Sequence, residues 1–182
     1  MTAAIRRIAP APSFLVLALF VVVALAVTGC GGDDDGSSGD ALPLQVDAMA
    51  PAVAAVEDAL GGPQRYYEVN ATPTLVNVFV AGADGAATAY VYDAVAGTLQ
   101  APSEPQPASG ETFEWSQADF DTDQVLDQAL EQLPSSLPRT FAVTAASPTT
   151  VQNLVTLEST QGGILDVLVE GDGTIIGTQT RS

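Results

Sequence analysis

The feature that most restricts this chain is an order of landmarks that occurs twice. Pro73-Thr74 is matched by Pro148-Thr149, Val76 by Val151, and Gly97-Thr98-Leu99 by Gly173-Thr174-Ile175, at an offset of 75 to 76 residues throughout. A constant offset across strand-like and turn-like positions is the mark of a duplicated unit. One such unit, a helix followed by a short meander, buries little surface by itself, so the two copies are expected to share a sheet and a core.

The first copy opens with apolar residues at helical spacing, Val46, Met49, Val53, Val56 and Leu60, and Gly61-Gly62-Pro63 supplies the stop. Pro51 restricts the helix start to somewhere from Asp47 to Pro51, because proline is tolerated in a first turn but not further in. Strand-like runs follow at Tyr66–Ala71, Leu75–Ala81 and Ala87–Asp93, with Gly82-Ala83-Asp84-Gly85 as a turn. The second copy places Val125, Leu126, Ala129, Leu130 and Leu133 on a helical face ended by Pro134, then strands at Thr140–Ala145, Val151–Leu157 and Ile164–Glu170. The expected fold class is α+β: two helix-plus-antiparallel-meander repeats forming one sheet with both helices on one face. The repeats span 45–100 and 113–182, and a Pro-rich linker occupies 101–112.

The N-terminus has a different character. Arg6-Arg7 precede an apolar run from Phe14 to Val27, whose fourteen residues reach roughly 21 Å as a helix, short of a hydrocarbon core of about 30 Å. That length suits the apolar region of a signal peptide rather than a spanning helix. The run ends at Val27-Thr28-Gly29-Cys30. This tetrapeptide resembles the lipobox of bacterial lipoproteins, in which the cysteine receives a diacylglyceryl group and becomes the first residue of the mature chain. The resemblance implies a signal peptide over 1–29, lipidation at Cys30, and attachment to the extracytoplasmic face of a cell membrane. Two acyl chains hold stably where one is reversible, since each buried CH₂ contributes about 0.8 kcal/mol. Residues 30–44 begin with Gly, Ser and Asp alone after the cysteine, and read as an acidic tether that keeps the folded part near the bilayer.

Composition narrows the chemistry. The chain has no histidine and one cysteine, and all five cations are arginines, so there is no lysine. Ser-His-Asp and Cys-His catalysis, histidine metal ligation, Schiff bases and Ser-Lys dyads are therefore absent from its repertoire. The lone cysteine makes neither an internal disulfide nor a Cys-rich zinc site. Every one of the 22 acids lies after Cys30, where only Arg65, Arg139 and Arg181 oppose them. Such a polyanion is repelled by nucleic acid.

A few residues stand out as site candidates. Asp119, Asp121, Asp123 and Asp127 fall at positions 1, 3, 5 and 9 of a sequence that resembles the opening of an EF-hand calcium loop. Gln124 stands where that loop needs glycine, and Leu130 where it needs the bidentate glutamate. The alternative use is a helix start, with Asp121 or Thr122 as cap and Gln124 completing a capping box. No metal and no cofactor is expected. Trp115, with Phe113 and Phe120, is either a partner-binding aromatic or a plug between helix and sheet; Tyr90 and Tyr92 share a strand face and form either a binding stripe or half-buried packing.

The runs Tyr66-Tyr67-Glu68-Val69, Asp84-Gly85 and Tyr90-Val91-Tyr92-Asp93, with Gly97-Thr98-Leu99, are similar to the helix–strand–strand pattern of PepSY-like domains, and Phe113 to Gly173 repeats it more loosely. That resemblance implies an envelope module that modulates partners and brings no catalytic residue. The expected function is a non-catalytic, membrane-anchored binding or modulating module with an envelope protein as partner. The alternatives are a carrier holding an apolar ligand between helices and sheet, and a hydrolase working through paired carboxylates.

Overall fold

The computed structural model describes residues 42–181. The lipobox, Cys30 and most of the tether lie outside them. A single turn of 3-10 helix at Val46–Ala48 leads into α1, Met49–Leu60. Pro51 falls in the first turn of α1, where its missing N–H has no intrahelical partner to lose. Gly61 ends the helix at φ +83°, and the N–H groups of Gly61 and Gly62 both reach the Glu57 carbonyl. This glycine stop uses a left-handed residue to satisfy the last carbonyls.

The strands follow as β1 (Arg65–Ala71), β2 (Leu75–Ala81), β3 (Ala86–Asp93), β4 (Thr98–Leu99), β5 (Gln106–Pro107) and β6 (Phe113–Glu114). Helix α2, Val125–Gln132, precedes β7 (Ser136–Ser147), β8 (Thr150–Ser159), β9 (Ile164–Val169) and β10 (Ile175–Arg181). All ten strands join one sheet in the order β10-β9-β8-β7-β1-β2-β3-β4, with β5 beside β3 and β6 beside β1, and every pairing is antiparallel. The described residues are thus α+β, with a large antiparallel sheet and two α-helices.

Register explains where the core lies. Directly opposed residues share a sheet face, so Tyr90, Val78, Val69, Val143, Asn153 and Val169 form one row across six strands. Tyr92, Val76, Ala71, Phe141, Val155 and Val167 form the next row on the same face. These rows pack with Met49, Ala52, Val53 and Val56 of α1 and Val125 and Ala129 of α2 into a single hydrophobic cluster. Asn153 is the polar exception in its row, 5% exposed. Its Nδ2 donates to the Asp119 carbonyl at 3.4 Å, while Oδ1 is buried with no partner among the described residues. The row on the opposite face, Val91, Asn77, Asn70, Ala142, Leu154 and Leu168, is mostly half-buried.

Several expectations shift. Leu60, expected on the buried face of α1, is 42% exposed because it sits at the helix exit, and Ala52 takes its place in the core. Strand β7 extends back to Ser136 through Pro138, beside a register shift, over a stretch where β1 does not pair with it; a missing N–H is harmless there. The tail after Gly173-Thr174 forms a further strand, β10. The Pro-rich segment follows the outer edge of β3: β4 pairs with one end, Gln100 and Ser103 donate to Val91 and Ala89, and β5 pairs with Ala86 and Ala87.

Candidate functional site

The chain reverses from α1 into β1 through Gly61-Gly62-Pro63, and this brings the last turn of α1 beside the first residues of β1. β6 lies antiparallel to the same end of β1, pairing Arg65 with Glu114 and Tyr66 with Phe113. It runs directly into a 3-10 turn, Trp115–Gln117, held by reciprocal bonds between Glu114 and Gln117. The rim so formed carries two concavities. One, of about 320 Å³, is lined by Glu57, Pro63, Gln64, Glu114, Trp115 and Ser116. The other, of about 590 Å³, shares Pro63, Gln64 and Glu114 and continues past Arg65 and Tyr67 to Ala81 and Gly82.

Tyr66 is the anchor of this rim. Its ring is fully buried against Phe113, with centroids 5.9 Å apart, and its hydroxyl donates to Glu57 Oε1 at 2.9 Å. Burial pushes the Tyr66 hydroxyl well above its ordinary pKa of 10.0, and the hydrogen bond and charge of Glu57 push it the same way. Glu57 is thereby fixed in orientation at the mouth of the smaller groove. Arg65 lies along the rim: Nε donates to Thr112 Oγ1 at 2.8 Å, Nη2 to the Thr112 carbonyl, and Nη1 to Glu114 Oε1 at 3.5 Å. The Arg65–Glu114 side chains are 46% and 58% exposed, so this ion pair is one of the weak surface kind.

Trp115 is half-buried and connects the rim to the core. It meets Phe120 edge to face at 6.1 Å, and Phe120 meets the buried Phe141 at 5.0 Å. It is therefore both packing and groove lining. Tyr90, 8% exposed, belongs to the core row, and Tyr92 packs against the same cluster; a surface stripe from this pair is ruled out by that register. The Asp119–Asp127 segment behaves as a turn. Asp121 Oδ1 accepts from the Asp123 N–H at 3.0 Å, Oδ2 accepts from Gln124 Nε2 at 2.6 Å, and the Asp121 carbonyl accepts the N–H of Val125. The expected capping box takes another form: Gln124 bonds to the Asp121 carboxylate, and the helix N-cap has no side-chain bond. Among the described residues no group of three or more His, Cys, Asp or Glu is placed to hold a metal ion. Cys30 lies outside the described residues.

The Tyr66–Glu57 pair escaped sequence reading because both residues look ordinary where they stand, a strand tyrosine and a late-helix glutamate. Only the glycine reversal brings them together. No protein family, curated protein or solved structure matches this chain.

Proposed function

We propose that this chain is a lipid-anchored protein on the extracytoplasmic face of a bacterial cell membrane, and that its folded part is a non-catalytic module that binds or modulates another envelope protein. The observation that carries this reading is the apolar run Phe14–Val27 ending at Val27-Thr28-Gly29-Cys30, the last being the chain's sole cysteine. The geometry of the folded part is in keeping with it. The described chain begins beside the β1–β2 turn, where the Gln45 N–H donates to the Thr72 carbonyl. The rim at Arg65 is at the other end of β1, whose seven residues extend about 20 Å. Residue 45 and the Arg65 rim therefore stand at opposite ends of β1.

We further read the sheet as two copies of a helix plus meander, joined through their first strands, β1 and β7, with both helices on the face that carries the core rows. The turns Thr72-Pro73-Thr74-Leu75 and Ser147-Pro148-Thr149-Thr150 stand at equivalent places. Around them, Ala71–Val76 corresponds to Ala145–Val151, Val69–Val78 to Val143–Asn153, and Tyr66–Val80 to Phe141–Val155. The correspondence slips in the third strands, where Tyr90 and Val169 oppose Val78 and Asn153 at a wider offset. The resemblance to PepSY-like domains belongs to the same proposal.

The test is Cys30→Ser in the full chain. Loss of the diacylglyceryl mass, with unprocessed or released protein, is the expected result. A variant that is still acylated and still partitions into detergent would overturn the lipid-anchor reading.

A further inference from the structure

The geometry points to an arginine or lysine side chain, presented by a partner protein, as the occupant of the groove walled by Glu57, Glu114 and Trp115. This rests on the reading of the folded part as a binding module and names the chemistry that module accepts. Charge complementarity operates at two ranges. At long range, a chain of formal charge −17 draws cationic partners and repels anionic ones. Its own cations do little to offset this near the groove, since Arg65 is engaged by Thr112 and Glu114, and Arg139 pairs with Glu158 across the sheet.

At short range the groove has the parts that hold a cation. Glu57 is half-buried and oriented by the Tyr66 hydroxyl through Oε1, while Oε2 has no protein partner among the described residues. Glu114 faces the same space; its carboxylate accepts from the Gln117 N–H and, at 3.5 Å, from an exposed arginine, which an incoming cation can replace. Trp115 lines the groove between them, and an indole is the best aromatic partner for a guanidinium or ammonium. Gln64 and Ser116 add polar groups, and Pro63 an apolar wall along which the methylene stem lies. The groove, at about 320 Å³, accommodates one such side chain. The acidic segment Asp119–Asp127 does not compete, because its carboxylates do not converge.

Trp115 is the chain's one tryptophan, so its fluorescence reports on this groove alone. A hexa-arginine peptide titrated into the full-length chain in detergent is expected to change Trp115 emission saturably. Glu57→Gln, which keeps an acceptor for Tyr66, and Glu114→Gln are each expected to weaken binding about fivefold, the upper scale of one exposed ion pair. Asp127→Asn and Asp172→Asn remove the same charge elsewhere and are expected to weaken it less than about twofold. Equal losses in all four variants would overturn the proposal in favour of general polyanion attraction, and so would the absence of a saturable Trp115 response. A photo-crosslinking residue at position 116, used in native membranes, separates this proposal from the reading beneath it. A crosslink to a partner segment bearing Arg or Lys supports both; a crosslink to a segment with neither overturns the cation-acceptor proposal and leaves the binding-module reading standing.

Discussion

Gly173 is held in two ways that alanine violates, and neighbouring glycines allow the two to be measured separately. It sits at φ +90°, and a Cβ built on it falls 2.6 Å from the Val125 carbonyl oxygen and 2.8 Å from Gln128 Cβ, both on α2. Gly162, in the β8–β9 hairpin, has nearly the same backbone angle, φ +92°, with nothing within 4 Å of its Cβ position. Gly171 has no positive φ, but its Cβ falls 2.6 Å from the Asp119 carbonyl oxygen. Gly162→Ala therefore tests the backbone cost alone, expected at about 1–2 kcal/mol for a left-handed alanine. Gly171→Ala tests the clash alone, expected at about 1–3 kcal/mol as overpacking against backbone that must shift. Gly173→Ala combines both, about 2–5 kcal/mol, out of the roughly 5–15 kcal/mol available to a domain. Urea denaturation followed by Trp115 fluorescence gives all three values. A Gly173→Ala loss no larger than that of Gly162→Ala would show that the β9–β10 turn is not wedged against α2, and the packing of the second half would need to be redrawn.

Other substitutions probe separate parts of the structure. Leu130 is half-buried against the core and Asp127 is exposed, so Leu130→Ala is expected to cost about 1–2 kcal/mol and Asp127→Ala less than about 0.5 kcal/mol; equal, negligible losses by chemical denaturation would take that face of α2 off the core. The raised pKa of Tyr66 contributes stability that is complete below 10.0 and is lost as pH climbs above it, because the unfolded tyrosine then sheds its proton while the folded one keeps it. Tyr66→Phe is expected to flatten that alkaline decline, and a decline of unchanged slope in pH-dependent denaturation would refute the assignment. Asn153→Val restores the residue type found at Val78 and removes a buried oxygen without a partner, so a gain of about 1 kcal/mol is expected; a comparable loss would mean that Oδ1 is satisfied and the side chain is structural.

Much of the fold was legible because its signals are local. Val76, Val78 and Val80 alternate cleanly, and the burial of all three follows from period two. The Gly61-Gly62-Pro63 stop acts within one turn of α1 and was readable for the same reason. β10 was missed because Gly177-Thr178-Gln179-Thr180 has no apolar alternation, and its pairing with β9 is decided by a neighbour rather than by its own sequence. Pro105 and Pro107 read as a linker, yet an outer edge of a sheet is where proline is tolerated in strand pairing. Tyr90 was ambiguous because period two separates faces without saying which one is inside. At the rim, Trp115 was visible as a lone indole in a Pro-rich surround. Glu57 and Glu114 were not, since their shared space depends on β6 returning to β1 at a sequence separation of 47 or more.

The junction between β1 and β7 has a consequence for how the chain acquires its structure as it is made from its N-terminus. Apart from the short β1–β6 pairing, the other contacts in the sheet join strands that follow one another closely, so each meander can zip as soon as its own residues emerge. The Glu68–Ala71 side of β1, by contrast, waits for Phe141–Thr144, which come out only after the Pro-rich strap and α2. During that interval the first meander offers an open hydrogen-bonding edge in a crowded compartment, the condition under which strands pair with the wrong neighbour. Its acidic, lysine-free composition would then serve a second purpose, keeping sibling chains apart until the late-arriving strand closes the seam.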